Sequence, residues 1–235
     1  MELTFEDFKK NAINNDLNHY EKIGFPNSYR ENRDKLILKD IISKTNLNEI
    51  SNEKILDIGC GCSELVNLLI NYSNKNSKKL YLNDSSEMID QIKANLNGVV
   101  LKKGKFSKNM FTKEKFDVII VYSVIQYIFN EQNIYGFIHE CIDLLNEGGS
   151  LLLGDIPNFS SRKRFLESNE GVSFLNNKTD IKAPIHYDEE RIDDSIVLSI
   201  LNRYRNFGIE TYLMPQLKGL PFSNRREDIL LIKRK

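Results

Sequence analysis

Lys54-Ile55-Leu56-Asp57-Ile58-Gly59-Cys60-Gly61-Cys62-Ser63-Glu64-Leu65 is the stretch from which the rest of the chain is read. It begins as a short apolar run, the pattern of a strand buried on both faces in a parallel sheet. It turns through Gly-x-Gly. It then continues as Glu64-Leu65-Val66-Asn67-Leu68-Leu69-Ile70, with apolar positions at helical spacing. Strand, glycine turn and helix form the entry to a nucleotide-type site, because ligands of open α/β sheets sit at the carboxyl ends of strands. A dinucleotide site requires a third glycine at the position of Glu64, where a carboxylate repels a pyrophosphate. Asp57, two residues ahead of the first glycine, suits a ligand that carries an ammonium group.

Working outward, Lys79-Leu80-Tyr81-Leu82-Asn83-Asp84 reads as the second strand and ends in an acid able to accept both hydroxyls of a ribose. Gly98 to Lys103 is the third strand. Phe116 to Tyr122 is a central buried strand, continued by Ser123-Val124-Ile125-Gln126-Tyr127. Ser150 to Asp155 is the fifth, after a helix that ends at Asn146-Glu147-Gly148-Gly149. Glu189 to Phe207 reads as an amphipathic helix, and Ile209–Met214 and Glu227–Ile232 as two closing strands.

Asp57-x-Gly59-x-Gly61, the acid at Asp84, "Phe-Asp-Val-Ile" from Phe116 and "Leu-Asn-Glu-Gly-Gly-Ser-Leu-Leu-Leu" from Leu145 together resemble the class I S-adenosylmethionine-dependent methyltransferases of small-molecule type. Ser63 departs from the family where many members carry a third glycine. Lys105 departs where many carry an acid. The resemblance implies a Rossmann-like α/β fold: a seven-stranded, mostly parallel sheet with an antiparallel C-terminal hairpin, helices on both faces and an N-terminal helical cap. It implies S-adenosyl-L-methionine as cofactor. Asp57 then holds the amino end of the donor, and Gly59, Cys60 and Gly61 let its methionyl part pass. Asp84 takes the ribose, Ser85 and Met88 flank the adenine, and the Phe106 ring contributes to adenine recognition. Tyr122 faces both donor and acceptor, and Tyr20 walls the sulfonium, which an aromatic face attracts.

Two other functions share parts of the pattern. A nicotinamide-dependent oxidoreductase also places an acid at Asp84, but its sheet is expected to end in a further parallel βα unit. A non-catalytic module would keep the donor pocket and perform no transfer.

The length fits a single domain spanning 1–235, with a helical cap over 1–50 and an insertion over 158–187 that acts as a lid. Lysine and arginine balance aspartate and glutamate at 33 each, which disfavours a nucleic-acid or membrane-surface partner. Three cysteines, no signal pattern and no membrane-length apolar run lead to the expectation of a cytoplasmic protein. Cys60 and Cys62 lack a second pair at zinc spacing, so no metal is expected.

Acceptor-side candidates are Tyr122, Ser123, Gln126, Asp155 and Asn158 at strand ends. In the insertion, Arg162-Lys163-Arg164 suits phosphate on a substrate such as a phosphorylated or nucleotide-linked sugar, and His186 is the candidate general base.

Overall fold

The structure is a computed structural model, and residues 3–47, 53–176, 191–220 and 222–235 are described. Four helices precede the sheet: α1 (Phe5–Ile13), α2 (His19–Lys22), α3 (Asn27–Arg30) and α4 (Asp34–Thr45). The sheet region then runs β1 (Lys54–Ile58), α5 (Glu64–Lys75), β2 (Lys79–Asp84), α6 (Ser86–Ile89), β3 (Val100–Lys103), β4 (Phe116–Tyr122), α7 (Ile125–Glu131), α8 (Ile134–Asp143) and β5 (Leu145–Pro157). It closes with α9 (Phe159–Glu167), α10 (Asn169–Asn176), α11 (Asp194–Asn206), β6 (Ile209–Pro215) and β7 (Arg226–Lys233).

The seven strands pair in the order β3-β2-β1-β4-β5-β7-β6. β1 to β5 are parallel, and β7 runs antiparallel between β5 and β6. The architecture expected from the sequence is therefore present, hairpin included. Alternate residues of each central strand feed opposite cores, as the two-residue period of a strand requires. Leu56, Ile119, Val121, Leu151 and Leu153 meet Phe137 and Cys141 of α8 and Val197, Ile200 and Tyr204 of α11. Ile55, Leu80, Val118, Ile120 and Leu152 meet Ile37 and Ile41 of α4 and Val66, Leu69 and Ile70 of α5.

Strand order reverses between β1 and β4, so the chain leaves these neighbours in opposite directions and opens a crevice at their carboxyl ends. Of the candidates at or just after strand ends, Asp84, Tyr122, Ser123, Gln126 and Asn158 line cavities there, and Asp57 and Asp155 do not.

Within the expected helical cap, residues 19–30 form two short helices. Asn18 caps α2 in a reciprocal box with Glu21, and the chain turns again into α3. Three local readings need correction. The helix expected to end at Asn146-Glu147-Gly148-Gly149 stops at Asp143, and those four residues belong to β5. The start of the 158–187 insertion is ordered into α9, capped by Asn158, and α10; the rest of it lies outside the described residues. α11 begins at Asp194 rather than Glu189, because Asp193 accepts from the backbone N–H groups of Ser195 and Ile196 and sets the first turn.

Ile119 is fully buried at the centre of β4. Ile119→Ala should lower unfolding free energy by about 2–5 kcal/mol. In urea titration the midpoint should fall with an unchanged slope.

Candidate active site

The turn after β1 is built by backbone that only glycine supplies without strain. Gly59 and Gly61 have φ of +70° and +64°. A Cβ on Gly59 would lie 2.6 Å from a Val124 methyl, and one on Gly61 would lie 2.8 Å from an Ile23 methyl. The turn is tied to β2: the Gly59 N–H donates to the Asn83 carbonyl at 2.8 Å and the Gly61 N–H to Asp84 Oδ2 at 2.9 Å. Asp84 Oδ1 accepts from the Ser85 N–H at 2.7 Å. Asn83, itself buried, donates to the carbonyls of Lys102 and Gly104, which sets the turn after β3.

These turns enclose a cavity of about 130 Å³. Its floor is Gly59, Cys60, Gly61, Asp84, Met88, Phe106 and Tyr122, together with Ser123 and Val124 at the end of β4. Its roof is the N-terminal cap, through Phe5, Phe8, Ile23, Phe25 and Arg30. Burial pushes the Asp84 carboxyl up to about 6, against the two N–H donors that pull it down. Asp57 lies beneath the floor, not on the cavity wall; burial first and the Asp84 charge second push it up to about 7.

A charged cluster sits at the carboxyl ends of β4 and β5, beside the crevice. Asp155 accepts from Arg226 at 2.6 Å, from Arg30 at 3.3 Å, from Gln216 at 3.3 Å and from the Ser123 hydroxyl. Its own N–H donates to Asp228, which is paired with Lys44. Ser123 and Asp155 both hold φ of +60°, a costly conformation for residues with a Cβ, and this cluster is what holds them there. Arg30 lies 4.2 Å from the centre of the Phe25 ring.

A second cavity, of about 690 Å³, adjoins the first across Tyr127, which lines both. Its walls come from α3, α7, the end of β5, α9, α10 and the connection between β6 and β7.

Residues 49–192 match the family model described as a methyltransferase domain. The chain belongs to this family. Its fold and motifs are those of the class I S-adenosylmethionine-dependent methyltransferases, whose cofactor is S-adenosyl-L-methionine. Among solved structures, the plantazolicin methyltransferase BpumL in complex with a triazolic desmethylPZN analog and SAH is similar, with TM-score 0.63, 14% identity and 98% of each chain covered. The N-methyltransferase NodS from Bradyrhizobium japonicum WM9, in complex with S-adenosyl-L-homocysteine, gives 0.58 at 14% identity with both chains covered in full. The CurJ carbon methyltransferase gives 0.58 at 11%, covering 97% of this chain and 64% of that one. At these identities the likeness is one of fold. No curated protein matches the chain in sequence.

The lining of the methyltransferase's first cavity suits an adenosyl cofactor in its chemistry. The Asp84 carboxylate keeps lone pairs beyond its two N–H donors for hydroxyls, and the glycine turn lets a ligand approach backbone closely. Among the described residues, no cluster of His, Cys, Asp and Glu could hold a metal, and no helix is long and apolar enough to cross a membrane.

The sequence candidates separate in space. Gly59, Cys60, Gly61, Asp84, Met88, Phe106 and Tyr122 come together on the first cavity. Ser85 is behind it as the N-cap of α6. Tyr20 does not reach the cavity wall; its hydroxyl donates to buried Asp34 in a contact that fixes the cap. Asp155 is not aimed at an acceptor as a base, because its carboxylate is engaged by two arginines, Gln216 and Ser123. Burial holds the Tyr122 hydroxyl well above its ordinary range, with Asp155 adding to the shift, so it stays protonated. His186 lies outside the described residues. Arg30, Ser123, Val124 and Tyr127 belong to the site or its wall; sequence reading placed Ser123 only on the acceptor side and gave the other three no role. Arg30 could not be found from a motif, since its partner Asp155 is far away along the chain.

Asp57 and Asp84 take up protons in the folded state at a pH where the unfolded chain has released them. The ligand-free protein should therefore lose stability as pH rises from about 4 through 7. Melting temperature across that range should fall less steeply in Asp57→Asn, and an equal slope would refute the assignment.

Proposed function

We propose that the protein transfers a methyl group from S-adenosyl-L-methionine to an oxygen or nitrogen of a small molecule held in the second cavity. Of Arg162, Lys163 and Arg164, on which the expectation of a phosphorylated or nucleotide-linked sugar rests, only Arg162 lines that cavity. The observation that carries the reading is the Gly59–Gly61 turn closed on Asp84, opening at Tyr127 to a larger adjoining cavity.

S-adenosylmethionine supplies a methyl group already activated by its sulfonium charge. The residues of the chain bind and orient. Asp84 would accept the ribose hydroxyls, and Met88 and Phe106 would hold the adenine. Arg30, a buried cation on the cavity that Asp155 and the Phe25 ring hold in place, would face the donor's carboxylate. Tyr122 and Val124 would shape the passage to the acceptor. Positioning of this kind is worth about 7–11 kcal/mol when the reacting atoms are aligned. A base is needed only for an acceptor that must lose a proton, and His186 is the residue proposed for it; it would contribute about a hundred- to ten-thousand-fold.

Two properties support this over the alternatives. The sheet closes with an antiparallel hairpin instead of the further parallel unit of a nicotinamide enzyme. The adjoining cavity gives an acceptor a place that a donor-binding module does not need.

Titration calorimetry with S-adenosylhomocysteine should show binding to the wild type. Asp84→Ala should weaken it about a hundredfold, from the loss of two hydrogen bonds to a charged group. Absence of binding to the wild type overturns the proposal.

A further inference from the structure

The second cavity carries four arginines, Arg162, Arg191, Arg225 and Arg226, and no aspartate or glutamate lines it among the described residues. In a chain of zero net charge this is a local excess of cations. The four differ in their partners. Arg226 is spent on Asp155 at 2.6 Å. Arg191 lies over the Phe159 ring. Arg225 sits among three rings, 5.0 Å from Phe165, 5.0 Å from Phe174 and 4.7 Å from Phe222, and its Nε is buried without a hydrogen-bond partner. A buried guanidinium donor left unpaired costs free energy unless a ligand completes it. Burial and the nearby Arg162 charge both depress the Arg225 pKa, the mark of a cation short of anions.

The trio Arg162-Lys163-Arg164 does not act together. Arg164 turns away to Asp194 at 2.6 Å, and of the three only Arg162 lines the cavity. The cation that joins Arg162 is Arg225, which comes from the connection between β6 and β7.

On the same cavity, and next in sequence to Tyr127, Gln126 donates to the Ser123 carbonyl at 2.9 Å and leaves its Oε1 buried without a partner. The two unsatisfied groups are of opposite sense, a cationic donor at Arg225 and a neutral acceptor at Gln126. Apolar and aromatic side chains, Leu3, Phe129, Phe159, Leu166, Phe174 and Phe222 among them, make up much of the remaining lining. A sugar would find few partners there, since Asn158 is already bonded to Asp194 and Glu227.

We infer that Arg225 and Arg162 form an oxyanion receptor, and that the acceptor is an apolar or aromatic molecule with a carboxylate or phosphate at one end and the group to be methylated, an O–H or N–H, at the other against Gln126. Planar guanidinium groups match either oxyanion. That the ligand is the methyl acceptor rests on the function proposed above; that the cavity receives such an anion does not.

The probes are phenyl phosphate and benzoate, titrated by NMR line broadening into the full chain with and without S-adenosylhomocysteine. Benzyl alcohol and glucose 6-phosphate serve as comparators. At least one of the two aromatic anions should bind, and the tighter of them identifies the oxyanion. Arg225→Gln and Arg162→Gln should each weaken that binding roughly tenfold. Benzyl alcohol and glucose 6-phosphate should bind distinctly less well. Arg162→Gln alone keeps the test decisive if Arg225→Gln does not fold. Unchanged affinity in Arg162→Gln, equal affinity for benzyl alcohol, or no binding of either anion to the wild type overturns the receptor. Equal affinity for glucose 6-phosphate overturns the apolar body. Anion binding in a protein that fails to take S-adenosylhomocysteine would keep the receptor and remove the methyl-transfer reading.

Discussion

The site depends on one hydrogen bond, from the Gly61 N–H to the Asp84 carboxylate. It joins the turn after β1 to the end of β2, and both the floor of the donor cavity and the position of α5 follow from it. The bond needs Gly61 in a left-handed conformation and Asp84 charged in a place where burial works against charge. The turn is thus preorganised at the expense of local stability, as binding sites commonly are.

The second constraint is the cluster around Asp155. It gathers Arg30 from the cap, Ser123 from the end of β4 and Arg226 from β7 on one carboxylate. The expectation that this acid meets the acceptor directly came from its place at a strand's end. Its actual part is to lock three separated segments where the two cavities meet. A charge buried among such partners is costly to leave unmatched, so any one of them lost would strand the others.

Much of the fold was legible in the sequence because parallel strands buried on both faces read as apolar runs, and Val118–Val121 and Leu151–Leu153 are such runs. The donor side was legible because backbone geometry forces residue type at Gly59 and Gly61. Arg30, Arg225 and Tyr127 were not legible. Their roles come from long-range contacts, and an arginine beside an aromatic has no local signature. Tyr20 misled for the same reason, since its ring lies in the cap but points to Asp34.

The order of strands has one more effect. β6 runs parallel to β5, so the connection back to β7 is delivered to the same edge of the sheet as the glycine turn. That connection supplies Phe222 and Arg225, while the donor grip is held by β1 and β2 on the far side of β4. Substitutions at Phe222 or Arg225 therefore reshape the second cavity from outside the β1–β2 turn, and only the Asp155 cluster ties the two sides together.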